Sequence, residues 1–172
     1  VTSVLAEPKW QHDGTKRTEG EVLDLLHSLV RCQKPAVVIE TGTFAGHGTQ
    51  AIFTALERNE YGHLWTVEND PVLYEAYPDD SPRTTYVEGD SLAFVTAGEL
   101  PPPDLAFVDC GEWEHRVHVA QETKRILNKG GLMLVHDTEF YPELLPAIRG
   151  LIGAPQLHLP TLHGVTIWLE EL

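Results

Sequence analysis

Apolar residues recur along the chain in two alternating rhythms, and that alternation predicts a fold. From Thr18 onward, Val22, Leu25, Leu26, Leu29 and Val30 fall at helical intervals. Thr18 and Glu21 have the spacing of a capping box, so a helix is predicted from there to about Arg31. Lys34-Pro35 stops it and opens a strand from Ala36 to Thr41. Glycines 42, 46 and 48 then make a turn, and Ala51, Ile52, Ala55 and Leu56 mark the inner face of a helix from Gln50 to about Asn59. The exchange repeats with a strand at Leu64 to Glu68, a short helix opened by Asp70-Pro71, and a strand at Thr84 to Val87. A weak helix at Ser91 to Ala97, a strand at Asp104 to Val108 and a helical stretch at Glu112 to Asn128 follow. Leu132 to Val135 is a strand, Phe140 to Ile152 is helical, and Gln156 to Leu159 and Val165 to Leu169 read as the last two strands.

Short apolar strands alternating with helices predict an α/β, three-layer sandwich, a seven-stranded and mostly parallel sheet covered on both faces. Only Pro160 to Gly164 joins the last two strands, too few residues for a crossover helix, so the last strand should run antiparallel. The expected organisation is a single domain over residues 18–172. Residues 1–17, which sustain no period, are an N-terminal arm or flap.

Composition narrows the function classes. The 172 residues suit one domain, which can bury roughly 70% of its unfolded surface. No apolar run approaches a membrane span and the start shows no signal-peptide pattern, so a cytoplasmic protein without a membrane partner is expected. Cys32 and Cys110 lack metal spacing and read as reduced thiols. Twelve basic residues against twenty-six acids, a net charge of −14, argue against a nucleic-acid partner, which needs a basic surface.

In an open α/β sheet, ligands lie outside the carboxyl ends of the strands. Those ends carry Glu40, Glu68, Asp90, Asp109 and Asp137. After the first, the order is E-x-G-x-x-x-G-x-G with no lysine, which fits neither the G-x-G-x-x-G dinucleotide turn nor a phosphate loop ending in G-K-S/T. Glycines in such a turn accept positive φ and let a ligand lie against the backbone. The helix that follows aims free N–H groups and its positive end at the same place.

On these residues the stretch VVIETGTFAGHGT, Val37 to Thr49, resembles the first motif of the class I, Rossmann-like S-adenosylmethionine (SAM) methyltransferases. The resemblance spans roughly residues 18 to 169. It implies that Thr41, Gly42, Thr43, Gly46, Gly48 and Thr49 wrap the methionine and ribose parts of SAM, with Glu40 holding the methionine amino group. Glu68, with Asn69 beside it, would accept both ribose hydroxyls. Asp90, between Gly89 and Ser91, would take the adenine amino group. DLAFVDCGEW and GGLMLVHDT resemble the fourth- and fifth-strand motifs of small-molecule O-methyltransferases, which places Asp109 beside both cofactor and chemistry. The implied reaction is methyl transfer to a hydroxyl of a small-molecule acceptor, a sugar, phenol or natural product.

Members of that group that use a divalent metal bind it with one acid from each of these strands, making Asp109 and Asp137 the candidate Mg²⁺ ligands. Such an ion would lower the pKa of a bound hydroxyl. The chain departs from the catechol-type pattern twice. The Asp-Asn pair of the fifth strand is Asp137-Thr138, and the lysine three residues after the fourth-strand acid is Glu112. A lysine base there is excluded and the metal is left open. His136 offers an imidazole base instead, although strand alternation sends it away from Asp137 unless the strand has ended. His115 and His118 share a helix face without ligand partners and read as surface residues. Glu112, Trp113 and His115 could line an acceptor pocket.

The acceptor surface must come from short pieces: residues 1–20, the segment after Asp109, Glu139 to Pro146 and Pro160 to Gly164. That points to an open cleft or one completed by a second subunit of a homodimer. Two alternatives stay open: an N-methyltransferase on a small amine, and a non-catalytic SAM-binding or assembly module of the same fold. Acids at every cofactor position speak against the second. The nucleobase-type Asn/Asp-Pro-Pro-aromatic motif is missing from Asp109-Cys110-Gly111-Glu112.

Overall fold

The computed structural model describes residues 18–75 and 81–171. In chain order the elements are α1 (Gly20–Gln33), β1 (Val37–Thr41), α2 (His47–Asn59), β2 (His63–Glu68), α3 (Pro71–Tyr74), β3 (Thr84–Glu88), α4 (Ser91–Thr96) and β4 (Leu105–Val108). They continue with α5 (Trp113–Ile126), β5 (Leu132–His136), α6 (Leu144–Ile152), β6 (Leu157–Leu159) and β7 (Val165–Leu169). The strands form one seven-stranded sheet in the order β3-β2-β1-β4-β5-β7-β6. Pairing is parallel from β3 through β5, and β7 is antiparallel to both β5 and β6.

Strand order reverses between β1 and β4, and that reversal opens a crevice at their carboxyl ends. Alternation along the strands divides the core between two faces. Leu105 and Phe107 of β4 pack with Val22, Leu26, Ile52 and Leu56 of α1 and α2. Ala106 and Val108 pack on the opposite face with Val117 and Ala120 of α5 and Leu144 and Ile148 of α6. Burial on both faces is why these strands are continuous apolar runs.

Asp70 caps α3 by accepting from the N–H groups of Val72 and Leu73, with Pro71 at the first helical position. α2 starts at His47, earlier than the apolar pattern from Gln50, because its first turn faces a cavity and needs no core contacts. α6 starts only at Leu144. Pro146 fits its first turn, where a missing N–H costs little. The capping box expected at Thr18 and Glu21 does not form. Glu19 is the N-cap residue and makes no side-chain cap bond, and both Thr18 and Glu19 reach toward the ends of β4 and β5 instead. The arm or flap expected over residues 1–17 lies outside the described residues. Among the described residues no helix is long and apolar enough to cross a membrane.

Leu134 of β5 is fully buried against the α1–α2 face. Leu134→Ala is expected to lower the unfolding free energy by about 2–5 kcal/mol in urea denaturation. A loss below about 1 kcal/mol would contradict close packing of that face.

Candidate functional site

A cavity of about 340 Å³ opens at the carboxyl ends of β1, β2 and β4, within the range of about 300–1,000 Å³ usual for small-molecule sites. Glu40, Glu68, Asp109 and Asp137 all line it. The turn after β1 is pressed against β4, because a Cβ on Gly42, which has φ +87°, would lie 2.3 Å from the Asp109 carbonyl oxygen. Gly48 faces Glu40 equally closely, its added Cβ falling 2.3 Å from Oε1. α2 has no side-chain cap and no acid in its first turn, so its positive end meets the cavity at His47 and Gly48.

Glu40 is 1% exposed and accepts from the Thr49 and Thr66 hydroxyls at 2.5 and 2.7 Å. Burial pushes its pKa up to about 8 against the pull of those hydroxyls, so the carboxyl is protonated at neutral pH. Glu68 accepts from the N–H of Phe44 at 2.7 Å on one oxygen and from those of Asn69 and Asp70, both at 3.0 Å, on the other.

Thr43, Asn69 and Ser91 also line the cavity, whereas Thr41, Gly46, Thr49, Gly89 and Asp90 do not. Thr41 is buried in β1 and Thr49 stands behind Glu40. Asp90 is half-exposed and caps α4 through the Ala93 N–H at 2.9 Å, with its other oxygen 3.4 Å from His115 Nε2. Asp90 thus caps α4 next to the cavity-lining Ser91 and His115. His115 and Glu112 line the cavity, His118 is exposed, and Trp113 packs on the core.

At the ends of β4 and β5 the charged groups are crowded. β5 ends at His136 and Asp137 takes φ +62°, so two neighbours that a strand would send apart both turn toward Asp109. His136 Nδ1 lies 3.1 Å from Asp109 Oδ1 and 3.3 Å from Asp137 Oδ1, and its Nε2 lies 2.5 Å from Glu19 Oε2. Burial pulls the imidazole pKa down, but Asp109, Glu19 and Asp137 outweigh it and push it up to about 10. With both ring nitrogens facing carboxylates, His136 is held as a buried cation in this arrangement, which speaks against the general-base role expected for it. Glu19 is raised by burial yet held down at about 2 by His136 and the His163 N–H. Asp109 is likewise raised by burial but held below the usual carboxylate value by His136 and Arg116.

Arg116 is the residue that sequence reasoning missed. It leaves the first turn of α5, is 3% exposed, and donates to Asp137 Oδ2 at 2.7 Å and to the carbonyls of His136, Cys110 and Gly111 at 3.0, 3.0 and 3.1 Å. Its sequence signal is an arginine in register with Ala120 and Thr123 on the buried stripe of a helix, where a charge survives only if paired. Thr18 was missed because it read as a helix cap, and Glu19 because it precedes the apolar pattern of α1. Thr18 donates to Asp109 Oδ2 at 3.1 Å, and Glu19 also accepts from Thr161 and from the His163 N–H at 2.9 and 2.6 Å. A smaller cavity of about 60 Å³ adjoins the first, walled by Phe140, His136 and His163. Thr18, Asp109, Asp137 and Tyr141 line both.

The sequence profile of a methyltransferase domain family matches residues 39–138, more than half of the chain. The chain belongs to that family. No curated protein matches the methyltransferase in sequence. Solved structures align along most of it at low identity. The O-methyltransferase TomG of Streptomyces achromogenes, involved in tomaymycin synthesis and solved in complex with SAM, superposes with TM-score 0.71 at 18% identity, covering 91% of this chain and 82% of that one. SAH-bound methyltransferase PaMTH1 of Podospora anserina gives 0.68 at 18% identity, covering 91% and 80%. Cofactor-bound Rv0187 of MTB gives 0.73 at 17% identity, covering 91% and 83%. The methyltransferase thus has the class I SAM-dependent fold, with its antiparallel β7 inserted beside β5.

The shifted groups set how stability depends on pH. Glu40 is protonated in the folded state up to about 8 but only to 4.5 when unfolded, so stability falls as pH rises through that interval. Charged His136 contributes fully below 6.5 and its contribution is lost as pH rises to about 10. Glu19 contributes above 4.5 and is lost as pH falls toward about 2. Thermal melts should therefore fall steadily on the alkaline side, and Glu40→Gln should flatten the slope between pH 4.5 and 8. An alkaline flank that is level up to pH 10 would contradict these assignments.

Proposed function

We propose that this methyltransferase moves a methyl group from SAM to a hydroxyl of a small-molecule acceptor. The observation that carries the reading is the join between the two cavities, where Asp109 and Asp137 stand on the wall common to both. The larger cavity suits SAM. The uncapped start of α2 matches the methionine carboxylate, the buried Glu40 its amino group, and Glu68 the ribose hydroxyls. The glycine turn leaves backbone, without side chains, against the ligand.

SAM supplies a methyl on a sulfonium that leaves as a neutral thioether, so the protein's share is mostly placement of the nucleophile in line, about 3 Å from the methyl carbon. A hydroxyl entering the smaller cavity lies beside the carboxylates at the join. As the new O–C bond forms and the S–C bond breaks, the hydroxyl proton leaves to solvent through the smaller cavity, past His163, whose Nδ1 stands 3.3 Å from Asp137. Phe140 and Tyr141, in edge contact at 4.9 Å between ring centroids, form a wall suited to a ring-shaped acceptor such as a phenol or sugar. The carboxylates favour oxygen over nitrogen. They would hold an amine as ammonium, which has no lone pair to attack with.

Calorimetric titration with SAM should give micromolar binding, and Glu68→Ala should weaken it at least about tenfold, or about 1.4 kcal/mol. Heat with NAD and none with SAM would overturn the reading. Binding at neutral pH should also release a proton from Glu40, because a cationic amino group lowers its pKa from about 8. Titrations in buffers of different ionisation enthalpy should show that release in the wild type and lose it in Glu40→Gln.

A further inference from the structure

We propose that Arg116 stands as a fixed cation where a divalent metal would bind between Asp109 and Asp137, so that this methyltransferase works without one. The binding half of the claim holds whatever the acceptor is; the catalytic half rests on the function proposed above.

Asp109 and Asp137 do come together, and with His136 they form a cluster whose ligand atoms all lie within 4.8 Å of one another. Every oxygen of the two carboxylates, however, already faces a protein donor. Asp137 Oδ2 takes Arg116 Nη1 at 2.7 Å, and the same nitrogen is 3.4 Å from Asp109 Oδ1. Asp109 Oδ1 also meets His136 Nδ1 at 3.1 Å, and Asp109 Oδ2 accepts from Thr18. Asp137 Oδ1 has His136 and His163 nitrogens each at 3.3 Å. Mg²⁺ needs oxygens at about 2.0–2.1 Å in near-octahedral array, so these donors would have to be stripped away first.

Arg116 cannot step aside cheaply. Its guanidinium is charged at any ordinary pH and sits 3% exposed, tied to three backbone carbonyls that would be left buried without a donor. A dication brought there would have to displace it from both carboxylates, leaving two like charges side by side in the interior. A second observation agrees. Thr138, which stands where the catechol-type pattern has its Asn ligand, is 3% exposed and accepts from the Thr166 hydroxyl of β7 at 2.8 Å. It lines neither cavity.

Arg116 is thus a positioning residue. It holds the two carboxylates at the join and offsets part of their charge in the place where a metal would otherwise do both.

The test is a titration of chelator-treated protein with Mg²⁺ alone, read by calorimetry and by melting temperature, in wild type and Arg116→Met. Wild type should show no saturable heat and no shift, and methyl transfer should be unchanged by EDTA. Arg116→Met should melt lower and gain a saturable Mg²⁺-dependent rise in melting temperature that a further Asp137→Asn removes. Saturable Mg²⁺ binding by wild type, abolished by Asp137→Asn, overturns the proposal, as does an Arg116→Met protein that folds but gains no Mg²⁺ response. Should Arg116→Met fail to fold, the wild-type titration decides alone by the same criterion. Absence of methyl transfer with or without Mg²⁺ would count against the proposed function while leaving the binding result readable.

Discussion

A buried guanidinium has to satisfy up to five N–H groups at once, and that requirement organises the catalytic end of this sheet. Arg116 meets it by gathering the carbonyls at the ends of β4 and β5 and a carboxylate from the residue after β5. The two strand ends are thereby tied to the first turn of α5, and Asp137 is held in a left-handed conformation that a non-glycine residue adopts only when its surroundings impose it. Removing one partner of such an arrangement leaves an unpaired charge or orphaned carbonyls in the interior, which is far more costly than losing a surface ion pair.

Charge is distributed with the same economy. The chain as a whole carries −14, but at the ends of β4 and β5 cations offset most of the acids. Glu19, Asp109 and Asp137 stand opposite Arg116 and a protonated His136, while Glu40 is kept neutral by burial. The consequence is a division of the crevice. The β1–α2 side presents backbone, a helix end and an uncharged acid. The β4–β5 side presents ionised carboxylates braced by fixed cations.

α1 contributes more than a covering layer. Residues at its start read as an ordinary cap, but Glu19 spans from His136 to the backbone of His163 and the Thr161 hydroxyl, joining α1 to the turn between β6 and β7. The β4–β5 side of the site is therefore assembled from four chain segments far apart in sequence, and its integrity depends on packing across the whole domain.

Sequence alone determined the layers, the strand count, the antiparallel last strand and the acids at the strand ends, because those follow from apolar periodicity and from turn chemistry, which are local. It could also mark the glycine turn, since E-x-G-x-x-x-G-x-G is a statement about neighbouring backbone. It could not decide what each acid does. Asp90 caps a helix, Glu40 loses its charge to burial, and His136 gains one from carboxylates contributed by α1 and β4, outcomes set by groups up to 117 residues away. Arg116 carries no motif and lies within the helical stretch Glu112 to Asn128. Its place on the buried stripe of α5 signals only that it must be paired; the tertiary structure alone puts it between two strand ends, because the partners that decide protonation and role lie far away in sequence.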